Sequence, residues 1–114
     1  KTYWKSVVES QFIAPLSSDD SYGLGWRRVG AKHSYAPFGH YASNLAYGHT
    51  GWTGTVTLID PKYNLIIVLL TNKKHSTYRN GQFAGDGFAT GKYAPIIDLI
   101  YQALPETQSF PTTK

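Results

Sequence analysis

The sequence predicts an α+β fold in which an antiparallel β-sheet is flanked by an N-terminal and a C-terminal helix. Apolar residues recur at helical spacing near both ends of the chain, whereas the middle alternates at strand spacing. At 114 residues and 41% hydrophobic composition, the chain has enough apolar mass for a core and too little length for two ordinary domains. We therefore expect one domain, residues 1–114.

The N-terminal helix is predicted over residues 1–13. Trp4, Val8 and Phe12 lie four residues apart and form an apolar stripe. Pro15 and the polar residues after it are expected to end the helix.

Two strands are predicted before the middle of the chain. Residues 21–29 place Tyr22, Leu24 and Trp26 on one face, with glycines on the other. A second strand is expected between His40 and His49, although its pattern is blurred.

The clearest pattern predicts a hairpin of residues 54–60 and 65–71. The first segment alternates, and the residues from Asp60 to Asn64 are turn formers. The second segment is a continuous apolar run, which is expected of a central strand covered on both faces.

The C-terminal part is predicted to contain a long loop, a helix and a tail. Residues 73–92 hold four glycines and show no period, as is typical of a surface loop. Residues 93–104 have a helical stripe that should pack on the sheet, and Pro105 begins a flexible tail over 105–114.

Composition excludes several classes of function. The chain has no cysteine, so disulfides and thiolate metal sites are ruled out, and its four histidines lack the spacing of a zinc helix. The net charge is +4, but the basic residues are scattered, which argues against a nucleic-acid interface. The six-residue apolar run from Leu65 to Leu70 is too short to span a bilayer.

A glycine-rich run, Tyr47–Gly54, is the strongest candidate for a functional site. Its three glycines are spaced by three and frame His49 and Thr50, so the backbone is open to a ligand beside a titratable ring and a hydroxyl. The residues alone fit a structural glycine-rich strand with a packed histidine equally well.

The run and its surroundings resemble the penicillin-recognising serine hydrolases, namely class C β-lactamases, D-Ala-D-Ala carboxypeptidases and their esterase relatives. His49-Thr50-Gly51 resembles the third active-site motif of that family, Lys-Thr-Gly or His-Thr-Gly. The Tyr-Gly-Leu-Gly-Trp segment at 22–26 and the hairpin that ends in Leu-Thr-Asn-Lys at 70–73 also resemble family segments, in the same order. The resemblance covers residues 20–104 and implies the C-terminal part of a serine β-lactamase-like fold.

The resemblance implies a role for each motif position. His49 would bind a substrate carboxylate or assist a catalytic tyrosine, and Thr50 would hydrogen-bond the same carboxylate. Gly51 would keep the strand bare for substrate pairing, and the backbone N–H of Trp52 would form half of an oxyanion hole. Asn72 would lie near the carboxylate. No metal or organic cofactor is implied.

The family's nucleophile is missing from the chain. No serine here is followed by lysine three residues later, and the only Tyr-x-Asn, at 78–80, lies downstream of the expected position. We therefore expect a C-terminal segment that is inactive alone and completed by the N-terminal remainder of the same polypeptide. The whole would act outside the membrane on peptidoglycan peptides, β-lactams or esters, and the isolated segment would self-associate.

The alternative interpretation is a small basic, aromatic-rich module that binds an anionic cell-wall polymer or a glycan. A Ser-x-x-Lys segment upstream in the same reading frame would favour the hydrolase, and an unrelated upstream domain would favour the module.

Overall fold

The computed structural model describes residue 14 and residues 21–30, 35–87 and 90–105. The predicted N-terminal helix and nearly all of the predicted tail lie outside these ranges. No helix in the described ranges is long and apolar enough to cross a membrane.

The described residues form an α+β arrangement, as the sequence predicts. A four-stranded antiparallel sheet runs in the order β1-β2-β3-β4. Its strands are Arg27–Arg28 (β1), Tyr47–Thr50 (β2), Val56–Asp60 (β3) and Leu65–Leu69 (β4). One helix, α1 at Ala94–Gln102, packs against the sheet, and a separate small hairpin pairs Tyr78–Arg79 (β5) with Gln82–Phe83 (β6).

The predicted hairpin and C-terminal helix are confirmed. β3 and β4 pair from Val56↔Leu69 to Asp60↔Leu65, and the turn between them places Asn64 at φ +50°, which asparagine tolerates better than most residues. Pro95 lies in the first turn of α1, where its missing N–H costs no hydrogen bond.

The sheet has two unlike faces. Side chains opposite each other in an antiparallel pair share a face. The packed face carries Val56, Leu58 and Ile67, which are buried against α1 and a 3-10 turn at Ala36–Phe38. The full buried core comprises Phe38, Ala46, Val56, Leu58, Tyr63, Ile67, Ile97 and Tyr101.

The second face carries Ile59, Ile66 and Val68, of which Ile66 is 68% and Val68 57% exposed. The prediction that β4 is a central strand is therefore wrong for the described sheet, where β4 is an edge strand. On the packed face, the apolar residues of β4 are explained by burial against α1. On the second face, the described residues leave its apolar side chains largely uncovered.

The predicted strand over residues 21–29 is also wrong in its extent. Only Arg27–Arg28 pairs with β2, and the preceding residues fold back, with a bridge between Tyr22 and Arg27. The Gly23 N–H donates to the Trp26 carbonyl at 2.8 Å, and Gly25 has φ +73°. The glycines thus make a tight turn, which alternation alone did not indicate.

The segment 73–92, predicted as a long loop, contains local structure. β5 and β6 pair through Tyr78↔Phe83, and 3-10 turns follow at Ala84–Gly87 and Thr90–Tyr93. Two-residue strands are too short to leave a periodic signal in the sequence.

Candidate active site

The candidate site lies where β2 loses its outer partner. β1 pairs only with Tyr47 and Gly48, and no described strand continues along that edge. On the inner side, β2 stays paired with β3, and the Gly51 N–H donates to the Thr55 carbonyl at 2.8 Å. Because N–H groups alternate between the two edges of a strand, the Thr50 N–H points to the outer edge.

Trp52 follows at the start of a tight turn closed by the Gly54 N–H and the Gly51 carbonyl, 2.9 Å apart. The Trp52 N–H has no acceptor among the described residues. Trp52 is 76% exposed, and the Lys74 ammonium lies 4.3 Å from the centroid of its indole ring. A backbone donor without a described acceptor therefore follows the open edge.

His49 is exposed and lies on the second face of the sheet, opposite Thr57. Its Nδ1 lies 2.8 Å from the Thr50 carbonyl oxygen. Because a carbonyl only accepts, Nδ1 carries the proton, which leaves the Nε2 lone pair of the neutral ring available. This ring can accept a proton or, once charged, bind an anion.

Thr50 is half-buried on the packed face, opposite Val56. Its Oγ1 lies 3.1 Å from the hydroxyl of Tyr35. Both hydroxyls can donate and accept, so the pair can offer one donor to a ligand while keeping their mutual bond.

The structure leaves little room for a side chain at Gly51. A Cβ at this position would collide with Oγ1 of Thr55. Any larger residue at this position would therefore require the Thr55 side chain to move.

Asn72 lies at the same end of the sheet as Trp52, because the Lys73 N–H donates to the Thr53 carbonyl at 2.9 Å. Its Oδ1 accepts from the N–H groups of Lys74 and His75, both at 3.2 Å. Asn72 thus shapes its own turn, and its side-chain bonds do not reach His49 or Thr50.

Two further residues lie beside the site, Tyr35 and Arg27. The sequence indicates Arg27 only as a basic residue of the alternative polymer-binding module, and it gives no indication of Tyr35. Tyr35 contacts Thr50, and the Arg27 guanidinium lies against the Tyr35 ring. Fifteen residues separate Tyr35 from Thr50, and no spacing pattern links them.

Asp60 is a further polar centre, fully buried at the far end of β3. Its carboxylate accepts from the Ser43 N–H at 2.8 Å, the Ser43 hydroxyl at 2.6 Å, the Tyr101 hydroxyl at 2.7 Å and the Lys62 N–H at 3.1 Å. Burial, followed by the charge of Asp60, raises the pKa of Tyr101 well above its usual range. These bonds make Asp60 a structural clamp.

Within the described ranges, no group of three or more histidine, cysteine, aspartate or glutamate side chains is placed to hold a metal ion.

The beta-lactamase family model matches residues 6–87 of the chain. The chain belongs to the beta-lactamase family. This membership confirms the resemblance to penicillin-recognising serine hydrolases, and the observed α+β architecture is consistent with a portion of that fold.

Two curated relatives match most of the chain. The chain is 53% identical over 98 residues to an N-acetylmuramyl-L-alanine amidase of Bacillus subtilis (strain 168), covering 82% of the chain and 22% of that protein. It is 41% identical over 100 residues to a putative D-alanyl-D-alanine carboxypeptidase of Escherichia coli (strain K12), covering 83% and 23%. The 114-residue chain thus spans less than a quarter of the length of these curated relatives. No solved structure shows significant similarity to it.

Proposed function

We propose that the chain forms one wall of the substrate cleft of a serine hydrolase that cleaves amide or ester bonds in cell-wall material. The substrate would be a D-Ala peptide, a β-lactam or an ester, and the reaction would pass through an acyl-enzyme. Membership of the beta-lactamase family supports this chemistry. The names of the relatives, an amidase and putative carboxypeptidases, support a cell-wall substrate and action outside the cytoplasmic membrane.

The observation that carries the proposal is the open outer edge of β2. An extended acyl-peptide can add to this edge as an extra strand, because the Thr50 N–H points outward with no described strand beside it. The Trp52 N–H, which has no acceptor among the described residues, follows two residues after Thr50. There it would donate to the oxygen that becomes negatively charged in the tetrahedral intermediate.

The side chains supply the polar contacts. The Thr50 hydroxyl would hydrogen-bond the substrate carboxylate. His49 lies on the opposite face of β2 and would accept the proton of a catalytic tyrosine. Asn72 would act as a more distant polar group, since its Oδ1 is already engaged in its own turn.

The nucleophile and its base would come from the N-terminal remainder of the polypeptide. The 114 residues contain no Ser-x-x-Lys. The second face of the sheet, which carries both His49 and the exposed apolar side chains of β4, is the natural contact surface for that remainder.

One observation favours the alternative of a glycan-binding or polymer-binding module. The exposed Trp52 indole and the Lys74 ammonium 4.3 Å from it form a surface of the kind that stacks on sugars. An open strand edge beside a bare backbone donor is not needed for such binding, and we therefore favour the hydrolase.

The test is the Thr50→Val variant in the polypeptide that carries this chain together with its Ser-x-x-Lys segment. We expect the second-order rate constant of acylation by benzylpenicillin to fall about 10- to 100-fold, as for loss of a hydrogen bond to a charged group. Thr77→Val is the matched control, because Thr77 is exposed near β5. Equal rates for Thr50→Val and the parent would contradict the proposal.

A further inference from the structure

An open cavity of about 390 Å³ lies at the end of the sheet where β3 turns into β4. It is lined by residues 40–44 on one side and by Lys62 and Tyr63 on the other. The His-Thr-Gly motif lies at the opposite end of the sheet, because Thr50 pairs with Val56, the first residue of β3. The length of β3 alone puts about 13 Å between the two places. The cavity therefore does not include the motif.

Both walls of the cavity are held by one buried carboxylate. The N–H and the hydroxyl of Ser43 donate to Asp60 at 2.8 and 2.6 Å, and the Lys62 N–H donates to it at 3.1 Å. Two independent surface loops would move apart easily, whereas these two share a clamp that is fully buried. The cavity is therefore already formed before a ligand arrives, which lowers the entropic cost of binding.

The wall of residues 40–44 is also fixed to α1. The His40 N–H donates to Oδ1 of Asp98 at 2.6 Å, and the His40 Nδ1 lies 2.7 Å from Oδ2. Because a carboxylate only accepts, Nδ1 carries a proton. The His40 side chain is 81% exposed, so its Nε2 is available to a ligand, as an acceptor in the neutral ring and as a donor in the charged ring.

The uncompensated charge of the cavity is positive. The Lys62 ammonium lies 5.2 Å from the Tyr63 ring centroid and makes no ion pair with an acidic residue in the described ranges. The carboxylates of Asp60 and Asp98, which lie behind the walls, are engaged by the donors named above. The Asn44 amide makes no hydrogen bond within the part of the chain that the structure describes, so it can both donate and accept.

We propose that this cavity binds an anionic saccharide, with Lys62 at its carboxylate or phosphate group and with Asn44 and His40 at its hydroxyl groups. The volume is that of a small-molecule site and exceeds what a simple ion fills. Sugar hydroxyls donate and accept, as an amide and an imidazole do, and the ring of Tyr41 offers apolar surface to the sugar C–H groups. The proposal goes beyond the proposed function and does not rest on it.

Isothermal titration calorimetry at low ionic strength tests the site in the full polypeptide that carries this chain. The probes are glucuronate and glucose 6-phosphate, which distinguish a carboxylate from a phosphate, with glucose and inorganic phosphate for comparison. We expect a dissociation constant of about 1 mM for at least one charged sugar. Glucose, which lacks the charge, and phosphate, which lacks the sugar, should each bind at least about tenfold more weakly.

Lys62→Gln should raise the dissociation constant of the charged sugar at least about tenfold, whereas Lys62→Arg should stay within about threefold of the parent. The change leaves the backbone bond from residue 62 to Asp60 in place, so the variant is expected to fold. Lys92→Gln is the matched control, because Lys92 is an exposed lysine outside the cavity lining, and it should match the parent.

Three results would overturn the proposal. The first is that neither charged sugar binds the parent. The second is that glucose or inorganic phosphate binds as tightly as the charged sugars do. The third is that Lys62→Gln binds the charged sugar as tightly as Lys92→Gln does.

Discussion

At the scale of single residues, Asp60 shows how this small sheet is joined to the rest of the chain. Its buried carboxylate links the end of β3 to the loop at Ser43 and to α1 through Tyr101. A buried carboxylate is costly unless it is fully hydrogen-bonded, and here it accepts four bonds. The sequence indicated only a turn former at this position, because burial depends on partners distant along the chain.

Tyr101→Phe tests the clamp. Loss of a hydrogen bond to a buried carboxylate should lower the free energy of unfolding by about 2 kcal/mol at pH 7. The folded-state pKa of Tyr101 is raised, whereas unfolded tyrosine titrates near pH 10. Stability from this residue is therefore complete below pH 10 and falls as the pH rises further, by up to about 1.4 kcal/mol per pH unit.

Urea unfolding at pH 7 and at pH 10.5 measures both effects. Between pH 7 and pH 10.5, the free energy of unfolding should fall less in the Tyr101→Phe variant than in the parent, because the variant has no hydroxyl to ionise at this position. Tyr78→Phe, which changes a tyrosine that is 61% exposed, is the control and should behave as the parent does. An identical alkaline slope in Tyr101→Phe would rule out the clamp as its source.

At the scale of elements, the predictable parts were those set by local periodicity and turn chemistry. The β3–β4 hairpin and α1 carry strong patterns over at least five residues each, and both form where the sequence predicts. The tight turn at Gly23–Gly25 and the two-residue β1 depend instead on which partner each residue finds, so the alternation of Tyr22, Leu24 and Trp26 was misleading.

Gly48 marks a close approach between elements. A Cβ there would collide with the Thr57 carbonyl and lie 2.8 Å from Cζ of Phe38. Gly48→Ala should therefore lower the free energy of unfolding by about 2 kcal/mol, because the β2–β3 backbone must shift.

The control for Gly48→Ala is Gly81→Asn. Gly81 has open space around it and φ +82°, a backbone region that asparagine enters more easily than other side chains. We expect its change in stability to stay below about 1 kcal/mol in the same urea titration. A Gly48→Ala variant as stable as the control would mean that β2 and β3 are not packed this closely.

At the scale of the whole molecule, the second face of the sheet and the outer edge of β4, which no described strand covers, are unusual for a monomer. Ile66 and Val68 are exposed side by side with Leu70, which is 79% exposed. Apolar patches and open strand edges of this kind are normally covered by a partner. We expect the isolated chain to self-associate through this surface, although the +4 charge opposes aggregation.

Light scattering across a hundredfold dilution series tests the association. The parent chain should show a mass above that of the monomer, which falls on dilution. The double variant Ile66→Thr/Val68→Thr should shift toward the monomer while keeping strand-forming residues. Leu99→Gln, which removes an apolar side chain that is 64% exposed on α1, should change nothing. A monomeric parent at all concentrations would contradict the expectation.

The residues of the candidate site that lie in one short motif could be predicted from the sequence. Those that come from distant segments of the chain could not. His49, Thr50, Gly51 and Trp52 lie in one run, and the structure places the run at the open end of β2. Arg27 and Tyr35 reach the same place from other segments, and only the register of the sheet reveals this. The sequence offers no candidate for the proposed nucleophile, because these residues contain no Ser-x-x-Lys and span less than a quarter of the length of the curated relatives they match.

Covalent labelling by a fluorescent penicillin, followed by mass mapping of the labelled peptide, tests the central claim most directly. The account predicts no adduct on the isolated 114-residue chain. It predicts one adduct per molecule, on a serine of a Ser-x-x-Lys segment outside these residues, when the chain is part of its full polypeptide. Stoichiometric labelling of any serine within the 114 residues, or no labelling of the full polypeptide, would contradict it.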